Sequence, residues 1–404
     1  MKKILIILPD KLEEAAEYTS GANYLNQSFK IEFVICKSWA WEIKNKELDE
    51  YFSNTKSMYQ HQFADDFLHL KKIISGSNAD FVIDLTNNSF SDEIYKFVKK
   101  SKIKYVLIRN GHVHASFLTR LFLSFKKIKF KLSKKNYSDI SNNKNNEDTI
   151  NNNSVFSKIF KFVKKKIKYE TTKLKADIAL VAGAKVLELF DKKTIDIIHI
   201  GSHDYYVFKK NEKKIQTKKR KFILFIDTLL VSEIEKVAQK FDPIFSESEF
   251  KKFHNIVFGH FENHFNLPVV IAGHRRGKDI KNYENLFSGR EVIFDNTPSL
   301  VKKSEFVIAS FSTAISFAVL EYKPIFIYTN ANMDACVWGS VLYARAKELG
   351  LKIIDFEKKI IKLPNDYNFV DKKKYNQFIL NYLNYNNDNF KEKFPFENFI
   401  IKYK

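Results

Sequence analysis

Short apolar runs alternate with longer amphipathic stretches along most of the chain. The runs include ILIIL near the start, FVID at positions 81–84, and VVIA, FVIA and IFIY between positions 269 and 328. They are rich in β-branched and aromatic residues, as is typical of strands buried in a parallel sheet, and the stretches between them have helical spacing or turn residues. The pattern predicts an α/β protein in which the last three runs are parallel strands.

The chain is long enough for two hydrophobic cores, because 404 residues exceed what one core usually organises. A polar, lysine-rich passage over positions 209–221 has the composition of a linker. We therefore predict an amino-terminal Rossmann-like domain over 1–208 and a carboxyl-terminal Rossmann-like domain over 209–404. The aromatic helices at the end of the chain are expected to pack back on the first domain.

The alternation is interrupted between Leu121 and Leu174. Apolar residues recur on one face of two predicted helices there, lysines cover the other face, and the asparagine-rich stretch at about 137–154 predicts a disordered loop. This insertion holds 14 lysines against 4 acidic residues, which is +10 of the formal net charge of +21. Such a basic hairpin is suited to an anionic membrane surface. Two alternatives stay open: the helices pack on their own domain, or the overall charge reflects an A+T-rich genome.

Other features concern the cellular setting. The apolar run of MKKILIILPD stops at Pro9, too early for a secretory leader, and no run approaches the length of a membrane span, so we expect neither. Cys36 and Cys336 stand far apart without zinc-ligand spacing, which predicts a reducing compartment and no disulfide. The expected location is the cytoplasm, with peripheral attachment to the inner face of the cytoplasmic membrane.

Two predicted strand ends carry residues suited to an anion. They are His274, Arg275 and Arg276 after VVIAG, and Ser310, Ser312 and Thr313 after FVIA. Guanidinium groups match phosphate oxygens in pairs, and hydroxyl and N–H groups at a helix start donate to anions. Together they predict a phosphate or diphosphate site at the carboxyl edge of a parallel sheet. The alternatives are a structural histidine and simple helix capping by Ser312.

The run from AGHRRGKD through FSGREVIFDNTPSLVKKSEFVIASFSTAISFAVLEYKPIFIYT resembles the carboxyl-terminal half of GT-B glycosyltransferases. The resemblance covers about positions 204–329 and is closest to bacterial surface-polysaccharide transferases related to those using CMP-activated sialic acid or Kdo. In these enzymes a His-Pro pair and a Ser-Ser or Ser-Thr pair at helix starts hold the phosphate of the donor nucleotide. The resemblance implies two Rossmann-like domains that face a cleft, with the donor bound by the second.

The same resemblance implies roles for individual residues. His274 matches the histidine of the His-Pro pair, with Arg275 in place of the proline, and would neutralise the departing phosphate or give it a proton. Thr297 opens a short helix that faces the base or ribose in this fold, although helix capping explains it equally well. The acidic residue that holds the ribose in many enzymes using nucleotide-diphosphate sugars would fall near Ser316 or Phe317, which argues against a UDP-sugar donor and against an epimerase.

An inverting transfer needs a general base on the acceptor side, which places it in the first domain. Asp84, His112 and Asp10 each follow a predicted strand, and of these three we favour Asp84 and His112. Arg109 is suited to an acidic acceptor. Asp227, which follows the first strand of the second domain, could orient a ligand or serve a hinge. No Asp-x-Asp pair stands at a strand end among other metal ligands, so neither a metal nor a cofactor is predicted.

The leading hypothesis is a glycosyltransferase that moves a sugar from a nucleotide sugar to a cell-surface glycan or a lipid-linked acceptor. The expected partners are the nucleotide sugar, the glycan acceptor and, through 121–174, an anionic membrane surface. A glycerol- or ribitol-phosphate transferase or a sugar-nucleotide epimerase on the same frame remains an alternative. A non-catalytic glycan-binding module is another, whereas nucleic-acid binding is not expected because the lysine-rich helices carry no groove-reading motif.

Overall fold

The computed structural model describes residues 1–9, 11–12, 14–41, 46–55, 57–86, 90–109, 173–191, 193–194, 196–211, 221–231, 244–336, 338–358, 360–365, 367, 369–385 and 396–404. His112, Asp10 and all of the predicted basic insertion except Lys173 and Leu174 lie outside them. The described residues divide into two compact units. One contains the residues up to Arg109 together with Lys173–Lys210 and Gln377–Lys404, and the other lies within Asn211–Asn376.

The first unit contains a parallel sheet of seven strands among the described residues, in the order β3-β2-β1-β4-β5-β6-β7. The strands are β1 (Lys3–Leu8), β2 (Lys30–Cys36), β3 (Gln60–Ala64), β4 (Phe81–Asp84), β5 (Lys104–Arg109), β6 (Ile178–Val181) and β7 (Asp196–His199). The helices along this part of the chain are α1 (Glu14–Ser20), α2 (Ala22–Leu25), α3 (Lys46–Ser53), α4 (Phe67–Gly76), α5 (Ser91–Val98), α6 (Ala184–Leu187) and α7 (His203–Asn211).

The second unit contains a parallel sheet of six described strands in the order β10-β9-β8-β11-β12-β13. The strands are β8 (Ile223–Ile226), β9 (Val269–Ala272), β10 (Val292–Ile293), β11 (Phe306–Ala309), β12 (Ile325–Thr329) and β13 (Ile353–Asp355). The helices are α8 (Glu247–Phe265), α9 (Thr297–Lys303), α10 (Ile315–Leu320), α11 (Ala331–Ala335), α12 (Gly339–Leu349) and α13 (Lys372–Phe378).

Both sheets confirm the predicted fold class of two parallel-sheet α/β domains. In each, the first strand along the chain is third in the order and the order reverses beside it, between β1 and β4 and between β8 and β11. This is the strand order of a Rossmann fold, and its ligand crevice lies outside the carboxyl ends at the reversal. All four residues of β8, β9 and β11 are buried, as expected where helices cover both faces. The predicted strands VVIA, FVIA and IFIY are β9, β11 and β12, and they are parallel.

The last described segment of the chain belongs to the first unit. It contains a π-helical turn over Ile379–Leu383 and α14 (Glu397–Tyr403). A Cβ atom at Gly183 would lie 2.2 Å from the backbone oxygen of Asn381, so only glycine permits this approach before α6. Phe399 of α14 packs in the core beside Phe29 and Phe81.

Candidate functional site

Three loops of the second unit meet at the carboxyl edge of its sheet. Asp227 follows β8, His274 follows β9 after one glycine, and Ser310 follows β11. Because β8 lies between β9 and β11, the His274 and Ser310 loops are on the same edge, separated by two strand spacings, or about 10 Å. The predicted arginine–histidine group and the predicted hydroxyl group therefore flank the point where the strand order reverses.

Asp227 is a buried carboxylate at that point, with 3% of its surface exposed. Its Oδ2 accepts hydrogen bonds from the backbone N–H of Leu229 at 3.1 Å and from the Tyr283 hydroxyl. Its Oδ1 has no hydrogen-bond partner among the described residues. Burial raises the pKa of Asp227 from 3.8 to about 6, although the hydrogen bond from Tyr283 acts to lower it. The Oδ1 oxygen is itself enclosed, so Asp227 shapes the loops around the site.

Tyr283 connects the loops after β8 and β9. Its hydroxyl donates to Asp227 and accepts from the backbone N–H of His274 at 3.1 Å. The Tyr283 ring lies against Gly277, where a Cβ atom would stand 2.5 Å from the ring. A glycine is therefore required in the 3₁₀ helix Arg275–Asp279 for this packing.

His274 holds the N-cap position of that 3₁₀ helix without a side-chain capping bond and is half-buried, and its Nδ1 has no hydrogen-bond partner among the described residues. Burial, together with the charges of Arg276 and Arg275, lowers the pKa of His274 from 6.5 to about 4. The imidazole is therefore neutral at neutral pH and can donate one N–H bond to a ligand. Lys278, in the same helix, forms an ion pair with Asp295.

The three predicted hydroxyls after β11 have different environments. Ser310 is fully buried, and its Oγ lies 3.2 Å from Thr228 Oγ1. Ser312 is half-buried, and its Oγ accepts from the backbone N–H of Ala314 at 3.3 Å. Thr313 is exposed. Ser312 therefore shapes the turn before α10, and of the three only Thr313 is freely accessible, whereas Ser310 acts through its neighbours.

A buried arginine, Arg345, contacts the loop that follows β11. Arg345 of α12 has 4% of its surface exposed and donates from Nη1 to the backbone oxygen of Ser312 at 2.7 Å. Thr297 is the first residue of α9, where Asn296 holds the N-cap position and Pro298 follows. Thr297 is half-buried and lies after β10, the strand next to β9. Thr297 is therefore not the capping residue of α9, and its ligand role stays a prediction.

The first unit places Asp84 in its core. The Asp84 carboxylate is fully buried at the end of β4, and it accepts from Thr86 N at 2.8 Å, from Thr86 Oγ1 at 2.7 Å and from the Tyr105 hydroxyl. A general base has to reach a substrate proton, and both Asp84 oxygens are occupied. This placement favours a structural role over the predicted catalytic one. His112, the second predicted base, stays a prediction because it lies outside the described residues.

Several residues at this site carried no signal in the sequence. They are Thr228, Tyr283 and Arg345. A tyrosine in an amphipathic pattern is usually a core residue, and Thr228 follows a strand without a motif around it. Among the described residues, no group of three His, Cys, Asp or Glu side chains could hold a metal ion. No described helix is long and apolar enough to span a membrane.

The chain matches no protein-family model and no curated protein sequence. Solved structures with a similar overall chain path include UDP-GlcNAc 2-epimerase from Methanocaldococcus jannaschii, which is 13% identical over 93% of this chain and 91% of its own, with a TM-score of 0.41. Phytolacca americana apo UGT2 is 9% identical over 94% of each chain, with a TM-score of 0.42. The wall teichoic acid polymerase TagF is 10% identical over 94% of this chain and 83% of its own, with a TM-score of 0.39. The fold assignment rests on the two sheets themselves.

Proposed function

We propose that this protein is a glycosyltransferase that uses a nucleotide-sugar donor. The observation that carries the proposal is the carboxyl edge of the second sheet. There a Rossmann strand order brings an arginine pair and a neutral imidazole to the point where the order reverses. A nucleotide sugar offers the kind of group to which this edge is suited, since its phosphate is an anion.

The phosphate belongs on the basic side of this edge. Arg275 and Arg276 supply the charge, and one of them can hold two phosphate oxygens at once. His274 contributes an N–H bond in its neutral form. Thr313, exposed across the crevice, can donate a hydroxyl bond from the other side. The reaction leaves negative charge on the departing phosphate. Hydrogen-bond donors that are already in position before the reaction stabilise that charge most effectively.

The sugar and the acceptor are finer parts of the proposal. The resemblance around His274 and Ser312 supports a CMP-linked donor, with an acidic sugar such as sialic acid or Kdo as the transferred group. The acceptor is a cell-surface glycan or a lipid-linked one, and the basic segment 121–174 holds the enzyme at the membrane that carries it. His112 is the remaining proposal for the general base in the first unit.

The direct test is turnover of a donor panel by the purified full chain. CMP-sialic acid, CMP-Kdo, CDP-glycerol and UDP-GlcNAc are each incubated with glycan acceptors, and free nucleotide and transferred product are measured. Transfer from a CMP-sugar supports the whole proposal, and transfer from UDP-GlcNAc supports the activity with a different donor. Release of glycerol phosphate onto the acceptor would make the protein a phosphate transferase, and conversion of UDP-GlcNAc to its 2-epimer would make it an epimerase. No reaction and no nucleotide binding with any donor would refute the proposal.

A further inference from the structure

A groove lies at the amino edge of the first sheet, where the parallel strands β5, β6 and β7 begin side by side. It has a volume of about 260 Å³ and is lined by Lys99, by residues 101–104, by the starts of β6 and β7, and by Tyr403 of α14. We refer to it as the amino-edge groove. A Rossmann sheet binds ligands at the opposite, carboxyl edge, and the six residues of β5 separate the two edges by about 17 Å. The groove is therefore distinct from the crevice that this strand order provides.

Two carboxylates stand in the amino-edge groove, and each already has its own donors. Asp177 directly precedes β6, and its oxygens accept from Lys99 Nζ at 2.8 Å and from the backbone N–H of the second residue of β5 at 3.0 Å. Asp196 begins β7, and its oxygens accept from Lys402 Nζ at 2.7 Å and from the Tyr403 hydroxyl. All four carboxylate oxygens are therefore hydrogen-bonded within the protein.

The protonation states of Asp196 and Tyr403 are fixed near neutral pH. Burial acts to raise the pKa of Asp196, but the hydrogen bonds from Lys402 and Tyr403 and the charges of Lys402 and Lys104 outweigh it, so the pKa lies below its ordinary value of 3.8. Burial and the neighbouring Asp196 raise the pKa of the Tyr403 phenol. The carboxylate is therefore charged and the phenol neutral, and the charge of the groove does not change around pH 7.

The positive groups of the amino-edge groove outnumber the negative ones. Lys102 is exposed and has no ion-pair partner in the described part of the chain, and Lys104 Nζ lies over the Tyr403 ring, 4.8 Å from its centroid. The Ser101 hydroxyl uses its proton within its own turn, on the backbone oxygen of Val98 at 2.6 Å. With the two lysines that pair with the carboxylates, four ammonium groups surround two carboxylates. The side-chain donors that remain for a ligand are those of ammonium groups, which suits an anion.

We propose that the amino-edge groove binds a phosphate-bearing anion. Lys102 and Lys104 hold the anion, and Lys99 and Lys402 add positive charge at the two ends of the groove. Ammonium groups act as point charges with rotatable donors, so the groove selects for charge, and a diphosphate binds more tightly than a monophosphate. Because one lysine belongs to α14 and the others to β5 and the residues before it, the anion also holds α14 against the sheet. This site lies outside the proposed function and does not depend on it.

The first test is calorimetric titration of the full chain with pyrophosphate. The groove variant combines Lys102→Gln with Lys104→Gln. The control combines Lys46→Gln with Lys72→Gln, which removes the same charge at two exposed lysines of the first unit outside the groove. We expect the groove variant to weaken binding about 10-fold, the scale of two exposed ion pairs, and the control to remain within about threefold of the wild type. Binding by the wild type should also weaken as salt is added.

Hydrogen exchange followed by mass spectrometry shows where the pyrophosphate binds. In the wild type, pyrophosphate should slow exchange in residues 101–104 and in α14, and the groove variant should lose this protection. The segment Arg275–Asp279 of the second unit is followed in the same spectra. Protection confined to that segment would mean that pyrophosphate binds only at the carboxyl edge of the second sheet, which overturns the amino-edge groove as a site and leaves the proposed function untouched.

Cosedimentation with phosphatidylglycerol vesicles identifies the source of the phosphate group, which can be a soluble anion or a lipid headgroup. If the groove variant loses affinity for pyrophosphate and also binds vesicles more weakly than the control does, the natural ligand is a headgroup. If it loses affinity for pyrophosphate and binds vesicles as the control does, the ligand is soluble. If the groove variant and the control have equal affinity for pyrophosphate, the lysines of the groove are merely solvated and the proposal is overturned.

Discussion

The Tyr283 hydroxyl donates a hydrogen bond to the buried Asp227 carboxylate, and this bond joins the loops after two neighbouring strands of the second sheet. The same hydroxyl accepts from the His274 backbone N–H at 3.1 Å. The position of the imidazole beside the arginine pair therefore depends on a carboxylate that is not adjacent to it in sequence. The first three predictions concern this arrangement.

Asp227→Asn should make the protein more stable at high pH. Because the folded-state pKa of about 6 exceeds the ordinary value of 3.8, the protonated carboxyl contributes stability that is complete below pH 4 and lost as the pH rises through 6. The shift corresponds to about 3 kcal/mol, which the neutral amide avoids. Melting temperatures of variant and wild type should be close at pH 4.5 and diverge at pH 8. Asp295→Asn, at an exposed carboxylate, should show no such divergence. Equal melting curves at both pH values would show that Asp227 ionises without penalty.

His274→Ala should reduce donor turnover by at least about 100-fold, the scale for loss of one fixed donor to a charge that develops in the transition state. The matched control is Lys352→Ala, an exposed cation just before β13 and so at the opposite edge of the same sheet, which should leave turnover unchanged. Steady-state rates on the donor that the wild type uses provide the measurement. Because the His274 pKa is near 4, the wild-type rate should show no titration of this residue between pH 6 and 8. Equal rates in H274A and the wild type would show that His274 does not take part in donor turnover.

Gly277→Ala should destabilise the second unit by about 1–3 kcal/mol, because the added methyl group meets the Tyr283 ring at 2.5 Å. It should also weaken nucleotide binding, since a displaced Tyr283 releases both Asp227 and the His274 loop. Gly259→Ala is the control. It lies within α8 with nothing within 4 Å of the new Cβ, so the change should stabilise the protein by about 0.5–1 kcal/mol. Denaturant unfolding and nucleotide titration measure the two effects, and a G277A protein as stable as the wild type would contradict this packing argument.

Asp84→Asn should affect stability far more than catalysis. The carboxylate accepts bonds from Thr86 and Tyr105 in a fully buried position, and an amide cannot accept all of them, so we expect a loss of about 2 kcal/mol. Tyr105→Phe removes one of those bonds without changing the carboxylate and should give a loss in the same direction. Turnover per folded molecule should change less than threefold in both. A 100-fold loss of turnover in a stable D84N protein would instead support the general-base role.

Removing the basic segment should release the protein from anionic membranes. The deletion should span 121–172, because the backbone of Leu174 hydrogen-bonds with Leu189 and Asp191 in the first unit and has to be kept. Each lysine near such a surface contributes about 1 kcal/mol, so cosedimentation with phosphatidylglycerol vesicles should be lost at low salt. Turnover with a soluble acceptor should persist. Vesicle binding by the shortened chain would show that the segment is not the membrane anchor.

The strands were predictable because burial on both faces makes a parallel strand an uninterrupted apolar run. That local signal is sufficient to locate β1, β4, β9, β11 and β12 along the chain. The position of the candidate site followed from the same signal, since residues just after such runs share one edge of a sheet. The two-residue strand β10 carried no comparable run.

The roles of individual residues were less predictable. Ser310 and Asp84 have the residue types and the strand-end positions of ligand-binding groups, yet both are completely buried. Whether a side chain after a strand points to the crevice or into the core depends on the direction of the loop, which adjacent strands and helices decide. Thr228 and Tyr283 reach the site for the same reason without any local motif.

The sequence by itself determined the two-domain α/β architecture, the strands and the group of basic and hydroxyl residues at one sheet edge, because hydrophobic periodicity and strand-end position are local properties of the chain. Only the tertiary structure decided which of those groups are buried and which are exposed. Tyr283 and Asp227 are 56 positions apart, and their hydrogen bond exists because the loops after β8 and β9 lie side by side. The surroundings of a side chain depend on such distant partners, so they are set by packing and not by the neighbouring residues in sequence.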